Sequence, residues 1–128
     1  MKDIKYINPL TLAYLGDAVY ELRVREHLLE QGELRMPALH NQAVSLVNAE
    51  RQSLLFAQIE DMLSEDELAV FRRGRNAKGG RQPIHSSVTS YRRATGVEAL
   101  IGYLYLSGQK ERLDDIFAVL FAEDKWED

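Results

Sequence analysis

Asn8-Pro9-Leu10-Thr11-Leu12-Ala13-Tyr14-Leu15-Gly16-Asp17-Ala18-Val19-Tyr20-Glu21-Leu22 is the stretch that decides how this chain folds. Asn8 is a ready N-cap, Pro9 suits the first helical position because the amide it lacks has no partner there, and Gly32 supplies a stop. Between these signals the spacing predicts one long helix from Pro9 to about Gln31, with Leu15, Ala18, Val19, Leu22 and Leu29 on its apolar face. Gly16 and Asp17 interrupt that pattern. An interior glycine costs a helix roughly 1 kcal/mol relative to alanine, and a carboxylate facing a core is unfavourable unless it is paired or bound to a cation.

The same anomaly recurs in Val97-Glu98-Ala99-Leu100-Ile101-Gly102-Tyr103-Leu104-Tyr105, where Glu98 and Gly102 lie four residues apart on one helical face. Two readings fit. Either the acids are helix-surface residues and the glycines are packing contacts, or the glycines let the helices cross closely and bring Asp17 and Glu98 together. A converging pair of carboxylates would suit magnesium, which is usually held by one or two carboxylates plus waters and substrate phosphate. Glu21, one turn after Asp17, is either a third ligand or the partner of Arg25. Tyr14, Tyr20, Tyr103 and Tyr105 read as core or interface residues before base-stacking platforms.

The rest of the chain is also helical in pattern. A helix starting near Met36-Pro37 carries Leu39, Ala43, Leu46, Val47, Leu54, Leu55 and Ile59 with a period near that of an α-helix. Ser64-Glu65-Asp66-Glu67 has capping-box spacing and predicts a short helix through Phe71. Gly74 to His85 breaks periodicity and reads as a mobile basic loop. A further helix is expected from about Ser87 to Leu106, ended by Ser107-Gly108, and a last one from Lys110 to Ala122 with Leu113, Ile116, Phe117 and Leu120 on one side. Nothing alternates with a period of two for long. The expectation is a single all-α domain spanning residues 1–128.

Composition narrows the function classes. The 128 residues are 45% hydrophobic and 28% charged, within the globular range, with only the acidic tail Glu123 to Asp128 expected to fray. No cysteine is present, which excludes disulfides, thiolate zinc sites and a cysteine nucleophile. His27, His40 and His85 lack the helical pairing of a zinc site. The start Met1-Lys2-Asp3-Ile4-Lys5 has no apolar signal core, and the longest apolar run, Val97 to Leu106, contains Glu98 and is too short to span a bilayer. A soluble, cytoplasmic protein with no membrane partner is expected. The net charge of −4 conceals an asymmetry: Arg72, Arg73, Arg75, Lys78, Arg81, Arg92 and Arg93 follow one another with no acid between them. Such a segment is either a solvated loop or the contact surface for a local anionic partner.

Leu15-Gly16-Asp17-Ala18-Val19-Tyr20-Glu21 resembles the signature helix of ribonuclease III, and Glu98-Ala99-Leu100-Ile101-Gly102-Tyr103-Leu104-Tyr105-Leu106 resembles that family's second acidic motif. Arg73-Gly74-Arg75-Asn76-Ala77-Lys78 and Tyr91-Arg92-Arg93-Ala94-Thr95-Gly96-Val97-Glu98-Ala99 are closer still to the Mini-ribonuclease III subfamily. The resemblance runs from about Asn8 to Phe121. It implies a dimeric, helical ribonuclease III-like endonuclease domain that hydrolyses double-stranded RNA to 5′-phosphate and 3′-hydroxyl ends, with Mg2+ held by Asp17 and Glu98. It also implies a homodimer that matures the large-subunit (23S) ribosomal RNA precursor, with the pre-ribosomal large subunit as a partner. No room is expected after Leu120 for the separate RNA-binding domain of larger relatives. On this resemblance Arg72, Arg73, Arg75, Lys78 and Arg81 are the expected phosphate contacts, and Asn76 a 2′-hydroxyl partner. The wider family often carries a glutamate four residues before the first aspartate and an aspartate three residues before the second glutamate. Ala13 and Thr95 stand there instead, so the acid shell is thinner. The alternative is a catalytically inactive ribonuclease III-like protein that binds ribosomal RNA without cutting, against which the presence of both Asp17 and Glu98 argues.

Overall fold

In the computed structural model, which describes residues 3–32, 35–78 and 87–122, a 3-10 turn at Ile4–Tyr6 precedes six α-helices. These are α1 (Pro9–Glu30), α2 (Met36–Val47), α3 (Ala49–Ile59), α4 (Glu65–Arg75), α5 (Val88–Leu106) and α6 (Lys110–Ala122), with a second 3-10 turn, Glu60–Met62, between α3 and α4. The described residues contain no strand and no helix long and apolar enough to cross a membrane. The tail 123–128 expected to fray lies outside the described residues, as do positions 79–86 of the expected basic loop.

Local chemistry sets the helix ends. The Asn8 side chain accepts from the Leu10 amide at 2.8 Å, Pro9 follows it, and Gly32 turns the chain with φ of 98°. Ser64 accepts from the Glu67 amide at 3.1 Å while Glu67 accepts from the Ser64 amide at 2.8 Å, completing the capping box. The helix expected from Met36 to Ile59 is divided at Asn48. That residue is extended (φ −81°, ψ 160°), and its carboxamide caps α3 by accepting from the Arg51 amide at 2.8 Å. Asparagine offers the backbone this alternative to helix continuation, which hydrophobic periodicity does not register.

α5 is the hub. It packs against α1, α3, α4 and α6, and Val97, Leu100, Ile101 and Leu104 have no exposed surface. The main core gathers around them Tyr20 of α1, Phe56 of α3, Phe71 of α4 and Phe117 of α6, with the Phe56 and Phe71 rings stacked at 3.7 Å between centroids. α6 buries the four residues expected of it, Leu113, Ile116, Phe117 and Leu120.

Two further expectations need correction. α1 buries Leu12, Ala13, Gly16, Val19, Tyr20, Val24 and Leu28, whereas Ala18 is exposed and Leu22 and Leu29 are 57% and 50% exposed. The face chosen from side-chain hydropathy is rotated from the buried one, because the closest packing follows the small residues, where a neighbouring backbone can approach. α4 does not end at Phe71 but continues through Arg75, so Arg72, Arg73, Gly74 and Arg75 are helical. Gly74 is buried, and a Cβ there would stand 2.8 Å from the Cβ of Ala99 and 3.0 Å from the Cα of Gly96. Gly74 is the contact between α4 and α5, not the start of a loop.

Candidate active site

The crossing of α1 and α5 is a contact between backbones. A Cβ at Gly16 would collide with the carbonyl oxygen of Glu98, and one at Gly102 with the carbonyl oxygen of Leu12. The two glycines are what the approach requires, since any side chain at either position would force the helices apart. The residue following Gly16 and the residue one turn before Gly102 are Asp17 and Glu98. The crossing sets their side chains within hydrogen-bonding reach of each other. Asp17 is exposed and Glu98 half-buried, so only one member of the pair stands in an apolar setting. Burial pushes the Glu98 carboxyl up to about 8, and the hydrogen bond and negative charge of Asp17 add to the rise. A side-chain hydrogen bond from Gln52 opposes it, and Glu21 adds a weaker repulsion.

Glu21 is not aligned with the pair as a third donor. It accepts from Arg25 Nη2 at 3.3 Å, the salt bridge that the sequence offered as one alternative. Among the described residues no group of three or more His, Asp or Glu side chains is placed to hold a metal ion. The donor set at the crossing is therefore two carboxylates. These are hard oxygen ligands whose mutual repulsion a divalent cation would relieve, and they fit an ion that keeps most of its waters.

α3 contributes two residues that the sequence reading passed over. Gln52, only 3% exposed, donates from Nε2 to Glu98 Oε2 at 3.4 Å. Beside it Arg51 has a buried Nη2 with no hydrogen-bond partner, close enough to the Tyr20 phenol to act on it electrostatically. Tyr20, fully buried, donates its hydroxyl hydrogen bond to the Leu46 carbonyl at 2.7 Å. A signal for Gln52 existed, since it stands on the same helical face as Leu55, Phe56 and Ile59 and is polar where the pattern calls for an apolar residue.

The Ribonuclease III domain family matches residues 10–109, which span both acids and the glycine crossing. The chain is 51% identical to the Mini-ribonuclease 3 of Symbiobacterium thermophilum over 84% of its own length and 83% of the relative's. It is 45% identical to the Mini-ribonuclease 3 of Enterococcus faecalis over 91% and 89% of the two chains. The chain belongs to the Mini-ribonuclease 3 branch of the ribonuclease III family. The architecture agrees: a crystal structure of a Fusobacterium nucleatum protein superposes with a TM-score of 0.88 at 34% identity, covering 95% of this chain and 99% of that one. Membership in the ribonuclease III family makes the chain an endoribonuclease by class, a hydrolase of phosphodiester bonds.

Ala13 and Thr95, one turn before Asp17 and Glu98, bring no further acid to the site. Ala13 is 6% exposed in a small cluster with Leu12, Val70 and Ala99, and Thr95 donates its hydroxyl back to the Tyr91 carbonyl at 3.1 Å. The cations fall into separate surroundings. Arg72 and Lys78 are exposed. Arg73 donates from Nη1 to the Lys5 carbonyl and from Nη2 to the Ile7 carbonyl at 3.4 Å, tying α4 to the 3-10 turn. Arg75 donates from Nε to Asn76 Oδ1 at 3.0 Å and lies over the Phe71 ring. None of these residues hydrogen-bonds to Asp17 or Glu98, and Arg81 lies outside the described residues.

Proposed function

We propose that this chain is a magnesium-dependent endonuclease of double-stranded RNA in which Asp17 and Glu98 hold the metal. The observation that carries the reading is the glycine crossing of α1 and α5, which brings an exposed aspartate onto a half-buried glutamate whose carboxyl is pushed up to about 8. Magnesium, when bound, would polarise a phosphoryl oxygen and make a coordinated water a nucleophile near neutral pH. The protein's own part is positional. The apolar contacts around Glu98 keep its carboxylate poorly hydrated and ready to exchange solvent for a cation, while Asp17 admits substrate from the open side. The products are 5′-phosphate and 3′-hydroxyl ends.

Duplex RNA offers proteins mainly phosphates, 2′-hydroxyls and shape. Arg72, Lys78 and Arg81 are the phosphate contacts, and Arg75 and Asn76 at the end of α4 add to them. The role of Arg73 is shared with its hold on Lys5 and Ile7. The substrate is a helical segment of the large-subunit (23S) ribosomal RNA precursor, presented free or on the pre-ribosomal subunit. A duplex has two strands and each chain has one acid pair, which favours a homodimer. Its contact face is the apolar surface of α1 and α5, where Tyr14, Leu22 and Tyr105 are 85%, 57% and 54% exposed.

Incubation of the purified protein with a structured large-subunit precursor, in magnesium and then in chelator, tests this reading. Cleavage at duplex positions that requires magnesium and is lost in Asp17→Asn is expected. Binding without cleavage in the wild-type protein at any magnesium concentration would reduce the chain to an RNA-binding relative.

A further inference from the structure

We propose that Gln52 is a positioning residue of the acid pair, its side-chain amide holding one oxygen of Glu98 so that the other keeps a constant place beside Asp17. This inference rests on the reading of Asp17 and Glu98 as the metal-holding pair.

Packing does not account for Gln52. It lies on the stripe of α3 that also carries Leu55, Phe56 and Ile59, and it is as buried as they are. Methionine or leucine would fill that space without taking an amide out of water, which is unfavourable unless the amide finds a partner. The partner of Nε2 is Glu98 Oε2, from an element 46 residues away in sequence. With Glu98 ionised, as a metal ligand must be, the orientation is determined by chemistry: turned the other way, the amide oxygen would face a carboxylate oxygen, acceptor against acceptor.

The kind of donor also fits the task. A lysine or arginine at this point would neutralise Glu98 and compete with a metal ion for it. A neutral amide restrains the carboxylate and leaves its charge in place. The neighbouring cation does not take this place: Arg51 has a buried Nη2 with no hydrogen-bond partner, acts electrostatically on Tyr20, and forms no ion pair with Glu98. Glu98 is thus supported from α3 by a group that orients without discharging. With two carboxylates at the crossing instead of a fuller acid shell, the orientation of each one weighs more.

The test is Gln52→Met, which keeps the length and helix preference of the side chain and removes the donor. Metal affinity is read in the RNA-free protein by calorimetric titration with Mn2+, and cleavage of a short duplex is followed over a range of magnesium concentrations. Hydrogen-bond partners of metal ligands are worth about 10- to 100-fold in affinity or activity, so weaker Mn2+ binding, a raised magnesium midpoint and a lower kcat are expected in that range. KM for the duplex should stay unchanged, since Gln52 is buried away from RNA. Gln52→Asn, whose amide is too short to reach, should behave like Gln52→Met, and it serves if the methionine variant is not folded. Wild-type metal affinity and kcat in a folded variant would overturn the role of Gln52 and leave the acid pair standing. A wild-type protein that neither binds Mn2+ nor cleaves would remove both.

Discussion

At the residue scale the site turns on one carboxyl. Glu98 is raised from 4.5 to about 8 in the folded, metal-free protein. Between those values the folded chain holds a proton that the unfolded chain has released, so stability in chelator should fall as pH rises through the window. The slope is about 1.4 kcal/mol per pH unit, on the order of a few kcal/mol in total. Glu98→Gln removes the titrating group, and its chelator-treated form should show a correspondingly flatter profile while cleaving no RNA. Urea unfolding at pH 5 and pH 8 for both proteins decides it, and equal slopes would mean that Glu98 is solvated more freely than its surroundings suggest. Asp17→Asn should also abolish cleavage while the fold is kept, because Asp17 is exposed and its amide is nearly isosteric. Both acids were legible as local anomalies, carboxylates beside glycines in apolar helices. Gln52 carries a weaker signal, a polar residue on the apolar face of α3, and its partner is set only when the neighbouring helix is in place.

At the scale of elements, the joints are made by small residues and caps. Gly16→Ala puts a methyl group against the Glu98 carbonyl, and overpacking of this kind costs about 1–3 kcal/mol or more when backbone opposes backbone. The variant should lose stability and cleavage together, whereas alanine at solvent-facing Gly32 should leave cleavage unchanged. Full activity in Gly16→Ala would show that the helices can part without separating the acids. A second joint holds the start of α4. Glu67, 4% exposed, receives Arg112 Nε and Nη2 at 2.8 Å each, and Arg112 also donates to the Met62 carbonyl. The Arg112 hydrogen bonds hold the Glu67 carboxyl below its usual range, with the capping contacts of Ser64 adding to the effect. That stabilisation is present above the ordinary glutamate pKa and is lost as pH falls through the lowered value. Arg112→Ala should cost about 2–3 kcal/mol near neutral pH, less than a fully buried pair because Arg112 keeps 25% of its side chain in water, and the deficit should shrink in acid. Denaturant midpoints at pH 7 and pH 3 measure it.

At the scale of the whole molecule, the proposed assembly and RNA binding would use the surfaces left over. α1 has two apolar sides. One is spent on α5, and the other leaves Tyr14 and Leu22 in solvent, with Leu22 and Tyr105 lining an apolar groove together with Val19, Arg23 and Leu113. Leu22→Glu should convert a dimer into a monomer in sedimentation without unfolding it; an unchanged sedimentation coefficient would place the contact elsewhere. The basic positions should separate by role. Arg72→Ala and Lys78→Ala should each lower the salt dependence of duplex binding by about one counterion, with melting temperature unchanged. Arg73→Ala should lower melting temperature as well, through its lost contacts to Lys5 and Ile7. A salt slope unaltered by the first two would take the end of α4 out of the RNA surface.

The helical class, most helix ends, the capping box and the buried face of α6 could be read from the sequence, because each depends on residues within a turn or two of one another. The pairing of Gly16-Asp17 with Glu98 and Gly102 was one of two readings the sequence allowed, since a glycine and a carboxylate in an apolar helix are each costly locally and call for a reason; the close backbone approach of α1 and α5 decided between them. What the tertiary structure alone decided is which side of α1 faces inward, that α4 runs on through Gly74 to Arg75, that Arg73 is engaged by the 3-10 turn, and that Gln52 reaches Glu98. These depend on how near one backbone can come to another, a property of two elements together that the periodicity of either one does not contain.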